Sequence, residues 1–181
     1  ISLQIKDAAA TWLYDSTATA PRYFTEQPAI NFTHTENQFN DFTVQILLLN
    51  YLSRQGPCMA KADVNNDGRE DLFVGGAKDQ PGQLFIQLGN GKFAPTSQPA
   101  FTRDALSEDI AAEFFDADKD GDLDLYVVSG GTTAEKKGNA IYQDRLYMND
   151  GKGKFSLSVN GLPAMNNSGA SVVAADYDKD G

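Results

Sequence analysis

The chain is predicted to be all-β, built from repeats of about four short antiparallel strands, and three observations predict it. An acidic, glycine-containing motif is written twice in full and begun a third time, at Asp63, Asp116 and Asp176. Each complete copy runs into a short apolar stretch rich in Val and aromatics, Leu72-Phe73-Val74 and Leu125-Tyr126-Val127-Val128. Glycine pairs, Gly75-Gly76 and Gly130-Gly131, stop those stretches before they reach helical length, so they read as buried strands.

The first 54 residues do not share the repeat. They carry Trp12, several aromatics between Tyr14 and Phe42, and the apolar run 44–49, which is too short to span a membrane. This segment, 1–54, is expected to pack on or cap the first repeat. The first residue is Ile1 and no basic, apolar leader is present, as expected if an export signal has been removed.

Repeat 1 is assigned to 55–107. The small and apolar run Pro57-Cys58-Met59-Ala60 precedes the acidic motif and reads as an entering strand. The motif follows, then Leu72-Phe73-Val74, then Leu84-Phe85-Ile86-Gln87-Leu88, then the turn Gly89-Asn90-Gly91 ahead of Phe93. Repeat 2, 108–167, keeps the same register: Ile110-Ala111-Ala112 and Phe114-Phe115, the motif, Leu125 to Val128, Leu146-Tyr147-Met148-Asn149, and the turn from Asp150 to Lys154 ahead of Phe155. Residues 168–181 begin a third repeat, Ala170 to Ala175 and then Asp176, and stop inside its motif, so the chain is expected to be part of a longer array.

Within each motif the spacing assigns roles. Asp63, Asn65 and Asp67 stand at positions 1, 3 and 5, Gly68 at the sharp turn, Arg69 at a position that offers its backbone carbonyl, and Asp71 at position 9. The second copy supplies Asp116, Asp118, Asp120, Gly121, Asp122 and Asp124 in the same places; the third supplies Asp176, Asp178 and Asp180. Carboxylates at every second residue resist compaction, since two charges 6 Å apart repel by about 3 kcal/mol at an effective dielectric near 20. A hard cation among them removes that cost, and oxygen-only ligands suit calcium best, with magnesium or manganese as weaker candidates. Two complete calcium loops and an incomplete third are therefore expected. A helical calcium hand would need Glu at position 12, where Val74 and Val127 stand. Ordinary solvated Asp-Gly turns would not recur in matching places between matching strands.

Four short strands per repeat, joined by Asp/Asn/Gly turns, are the content of one β-propeller blade. Small residues such as Ala111, Ala112, Ala174 and Ala175 suit inner positions where sheets crowd together. A closed propeller takes at least about four blades, so an open array of two would leave sheet edges available for self-association.

Residues 63–77, Asp63-Val64-Asn65-Asn66-Asp67-Gly68-Arg69-Glu70-Asp71-Leu72-Phe73-Val74-Gly75-Gly76-Ala77, resemble the calcium-loop half of the FG-GAP repeat found in the propeller of integrin α subunits. The stretch from Asp116 to Gly131, followed by Asp144 to Phe155, resembles the VCBS-type repeats of exported bacterial proteins related to the cartilage acidic protein group. The resemblance spans Gln55 to Gly181. The Phe-Gly pair that half-names the FG-GAP repeat is absent before each loop, and Lys78 replaces the usual proline; the calcium ligands remain. It implies a calcium-loaded β-propeller with roles in adhesion or extracellular binding.

Composition fits a secreted, periplasmic or cell-surface module. Net charge is −10 with a pI near 4.4, which disfavours a basic nucleic-acid footprint. One cysteine, Cys58, excludes an internal disulfide and reads as a small core hydrophobe. The single histidine, His34, lies outside the repeats and no nucleophile elbow is present, so no catalytic residue is assigned. Asp104, Glu108, Asp109 and Glu113 read as loop and strand-edge charges. The expected function is a non-catalytic calcium-binding extracellular repeat module that adheres to a protein or glycan. The alternative is part of a calcium-dependent, polysaccharide lyase-like propeller enzyme whose catalytic residues lie in further blades.

Overall fold

A computed structural model describes residues 30–131, 140–165 and 167–178. Trp12, Tyr14 and Asp180 lie outside the described residues. Among the described residues eight strands form two four-stranded antiparallel sheets, each a simple meander. The first sheet runs β1 (Met59–Ala62), β2 (Asp71–Val74), β3 (Gln83–Gln87) and β4 (Phe93–Pro95); the second runs β5 (Glu108–Phe115), β6 (Asp124–Gly130), β7 (Arg145–Asn149) and β8 (Phe155–Leu157). The chain is thus all-β over its repeats, and its two sheets fit successive blades of a propeller-type array.

The strand order follows from turn chemistry. Gly91 (φ 74°) and Gly151 (φ 69°) take the left-handed conformation in the turns joining β3 to β4 and β7 to β8, which non-glycine residues adopt at a cost. Asn90 and Asp150 cap those turns by accepting the N–H two residues on, Lys92 and Lys152, each at 3.0 Å. After β2 the backbone closes on itself at Gly76, where a Cβ would sit 1.9 Å from the Gln80 carbonyl oxygen. Glycine there is required by space.

The core lies between the two sheets. Phe73 and Leu84 of the first sheet and Leu125, Val127 and Tyr147 of the second belong to one cluster with Ala62, Val64 and Phe155, and β1 runs beside β5. Phe101 joins this cluster, its ring 5.5 Å from Phe73 and 4.9 Å from Tyr147 in edge-on contacts. It is carried by a one-turn helix α1 (Pro99–Arg103), which the strand pattern of repeat 1 did not anticipate. Pro99 opens it, with φ already set for a first helical turn. Cys58 is half-buried against the same cluster, as its reading as a small hydrophobe expects.

Two expectations are corrected. Residues 170–175 form no strand; Gly169 makes one parallel bridge to Gly130, and no described strand supplies a ladder for the rest. Ala175 is accordingly exposed instead of crowded. Glu108 and Asp109 are buried, not edge charges, because β5 begins earlier than its apolar residues and runs with a bulge at 109–111. Residues 30–56 carry little regular structure. They contact the first sheet through Gln80, which accepts from Thr35 N at 2.9 Å and donates to the Thr33 carbonyl at 2.8 Å. Val44, Ile46, Leu47 and Leu49 in this segment are exposed.

Candidate metal centre

Both complete motifs are hairpin loops: 63–70 joins β1 to β2, and 116–123 joins β5 to β6. The sequence at position 6 makes the turn possible, with Gly68 at φ 83° and Gly121 at φ 92°, and position 4 is also left-handed, at Asn66 (58°) and Lys119 (64°). The first acid of each loop folds the chain around itself. Asp63 accepts from Asp67 N and Gly68 N at 3.0 and 2.7 Å; Asp116 accepts from Lys119 N, Asp120 N and Gly121 N at 2.7, 3.2 and 3.0 Å. Asp63 loses a little hydration, but the N–H groups turned toward it outweigh that and hold its carboxyl below the usual carboxylate range.

In the second loop the carboxylates of Asp116, Asp118 and Asp120 converge, with one oxygen from each lying within 4.8 Å of the others. All three are exposed, so an ion can reach them. Three hard oxygens at this separation match the reach of a cation that binds oxygen at about 2.3–2.6 Å. The residues present therefore fit calcium.

The first loop is built alike but carries less negative charge. Asn65 stands at position 3, donating to Asp67 at 3.1 Å, and Arg69 lays its guanidinium on Asp67 while its Nε bonds the Gln87 carbonyl at 3.0 Å. Asp122 takes the place of Arg69 in the second loop. Its side chain turns across to the first loop and accepts from Asn66 Nδ2 at 2.9 Å, leaving only its backbone carbonyl for the role that position 7 was assigned.

The position-9 acids lie under the loops, fully buried. Asp71 accepts from Val64 N (3.1 Å) and Gln87 N (2.8 Å); Asp124 accepts from Ala117 N (3.0 Å) and Asn149 N (2.8 Å). Each therefore ties its loop to the third strand of its sheet. Burial pushes both carboxyls up, the backbone donors pull them down, and the neighbouring loop acids add to the rise. One lone pair on each oxygen is used by a backbone N–H, and a second remains. Asp176 and Asp178 are exposed beyond the second sheet, next to a wide opening between Phe115, Tyr126 and residues 172–178, and no third loop is assembled among the described residues.

Sequence reasoning missed what binds the loops to each other. Asn149, buried at the end of β7, donates through Nδ2 to Val64 O (2.8 Å) in the first loop and Leu123 O (3.1 Å) in the second, and accepts from Gly153 N (3.1 Å). Gln98 does the equivalent between α1 and the turn into β8, donating to Gly153 O at 2.7 Å and accepting from Phe155 N at 3.1 Å. At the opposite end of the sheets Asp109 accepts from Gly76 N of the first blade (2.8 Å) and from Arg145 (2.6 Å), its partner in a buried ion pair within the second blade. Desolvation works to pull Arg145 down, but the adjacent Asp109 carboxylate more than offsets it and keeps the guanidinium charged. No periodicity marks these residues. An Arg opening an apolar run, Arg145 before Leu146-Tyr147-Met148, was the one available signal.

Residues 63–127 match the FG-GAP-like repeat, a span that opens on the first acid of one loop and closes inside the strand after the other. No curated protein and no solved structure matches the chain. No helix among the described residues is long and apolar enough to cross a membrane. An acidic hairpin joining the first two strands of each four-stranded meander, and the family match over the same residues, identify 63–127 as an FG-GAP-like repeat.

Proposed function

We propose that the chain is a calcium-binding, non-catalytic repeat module that works outside the cell in adhesion to a protein or glycan. The observation that carries the reading is the convergence of Asp116, Asp118 and Asp120 in a hairpin whose counterpart recurs one blade earlier. Asp116, Asp118, Asp120 and the Asp122 carbonyl would hold the ion, with Asp124 beneath them; in the first loop Asp63, Asn65, Asp67 and the Arg69 carbonyl would do so above Asp71. Calcium supplies charge neutralisation there. The protein's part is to hold the acids on a fixed hairpin, so that the ion binds the folded loop and not the unfolded chain and adds stability as it saturates. Extracellular calcium is high enough for weak sites to fill.

Calorimetric titration with calcium tests this. The second loop, with more acids and no guanidinium, is expected to bind more tightly than the first. Asp120→Ala should remove the tighter event, and Asp67→Ala the weaker one. A metal-free wild-type chain that takes up no calcium at millimolar concentration would refute the proposal.

A further inference from the structure

Glu108 opens β5 at the end remote from the acidic hairpin, and it is 6 % exposed. Its Oε2 is one of the buried side-chain atoms among the described residues that lack a hydrogen-bond partner. Its neighbour Asp109 is satisfied by Gly76 N and Arg145, whereas the Glu108 Oε2 has no such donor. An ionised carboxylate there loses hydration without compensation; the protonated acid has no charge to hydrate.

What covers this oxygen is the residue that follows β6. Gly131 lies so close that a Cβ there would come 2.2 Å from Oε2 and 2.6 Å from Cδ of Glu108, and its φ of 83° is the left-handed conformation that favours glycine. The same end of β6 seats the start of the third repeat. Ser168 Oγ donates to the Gly131 carbonyl at 3.1 Å, Gly169 N donates to the Ser129 carbonyl at 2.9 Å, and Gly169 bridges Gly130 in parallel. Gly130 is as tightly covered, since a Cβ there would stand 2.6 Å from the Gly169 carbonyl oxygen. A cleft bordered by Ile110, Gly131, Ser168 and Gly169 opens at this seam, so a shift of Gly131 would admit solvent.

The surrounding charges favour the neutral acid. Burial foremost, then the charges of Glu36, Asp109 and Asp41, push the Glu108 carboxyl up to about 7, with Lys78 acting the other way. Arg145 is paired with Asp109, and His34 Nε2 stands 3.3 Å from Glu36. Because the folded-state value lies above the 4.5 of a free side chain, the stability drawn from this acid is complete below that value and is lost as pH rises through about 7.

We propose that Glu108 is a proton-operated clasp for the third repeat: with its carboxyl protonated, Gly130 and Gly131 hold residues 168–170 on the second blade, and ionisation of the carboxyl releases them. The contacts supply the mechanism. An ionised Oε2 regains water only by displacing Gly131, and displacing Gly131 takes away the acceptor of Ser168 and disturbs the bridge to Gly169. One proton passes to solvent for each clasp that opens. The device lies outside the acidic hairpins and works whether or not they hold an ion.

Amide hydrogen exchange of the full chain tests it, followed by NMR at fixed calcium from pH 5.5 to pH 8.5 and corrected for the pH dependence of intrinsic exchange. Protection of the Gly169 amide should fall by at least about 10-fold between pH 5.5 and pH 8, while amides in the ladder between β6 and β7 keep theirs. Glu108→Gln, near-isosteric and unable to ionise, should leave the Gly169 amide protected throughout. Gly169 protection that does not change with pH in the wild type overturns the proposal. So does a loss that persists in Glu108→Gln, which would assign it to another group such as His34. Should Glu108→Gln fail to fold, the wild type decides: the Glu108 carboxyl carbon and the Gly169 amide resonances should titrate with one shared midpoint near 7, and separate midpoints, or a Glu108 midpoint at the free value of 4.5, overturn the clasp.

Discussion

Asn149→Ala isolates the contact that joins the two acidic hairpins. The Asn149 side chain satisfies three backbone groups at once: the Val64 carbonyl in one blade's loop, the Leu123 carbonyl in the other's, and Gly153 N in the turn after β7. Asn149 is buried, at 8 % exposure, so water does not readily replace what is lost. At about 1 kcal/mol for each hydrogen bond removed, the substitution should cost about 3 kcal/mol. For a chain of this length that corresponds to a fall in Tm of roughly 6–12 °C. Asn149→Asp is a sharper probe. It keeps an acceptor for Gly153 N but sets carboxylate oxygens against two carbonyls and beside Asp124, and should cost at least as much as the alanine. Urea unfolding followed by tryptophan-independent circular dichroism, in excess calcium and in chelator, measures both. A loss below about 0.5 kcal/mol for either variant would refute the inference that Asn149 carries the junction between loops.

Arg145→Met should destabilise the chain by about 3–5 kcal/mol, because it strands the buried Asp109 carboxylate; Asp109→Leu combined with Arg145→Met should recover most of that loss, read in the same urea series. Burial foremost, and then the Asp109 charge, push the Cys58 thiol up to about 12, so its thiolate is scarce until the pH rises through that value. Alkylation at pH 8.5 should therefore be at least about 100-fold slower in the folded chain than in urea, with fast labelling of the native protein contradicting the placement.

Much of the architecture was legible because two independent periodicities coincide. Alternate acids with glycine at position 6 mark the hairpins, and the Val- and aromatic-rich runs that follow mark the strands; both repeat in register, and both sheets bear this out. What stayed hidden was everything that acts between repeats. Phe101 looks like one more strand aromatic, yet it sits on a helical turn and plugs the gap between sheets. Asn149 and Gln98 occupy positions where turn chemistry already accounts for polar residues, so nothing in their spacing shows that their amides cross to another element. Glu108 and Asp109 read as surface charges because burial of an acid is decided by what packs on it, here Arg145 on Asp109 and Gly131 against Glu108, and those lie far off in sequence. The acids at position 9 illustrate the same limit: spacing puts Asp71 and Asp124 at the loop, and only the fold shows that backbone donors take one lone pair of every carboxylate oxygen.

Anomalous diffraction from crystals grown in calcium tests most directly whether the paired hairpins are ion sites. An ion is expected in each of the two loops, within about 2.3–2.6 Å of Asp116, Asp118 and Asp120 in one and of Asp63, Asn65 and Asp67 in the other. Hairpins that keep this fold yet hold no ion at saturating calcium would contradict the account.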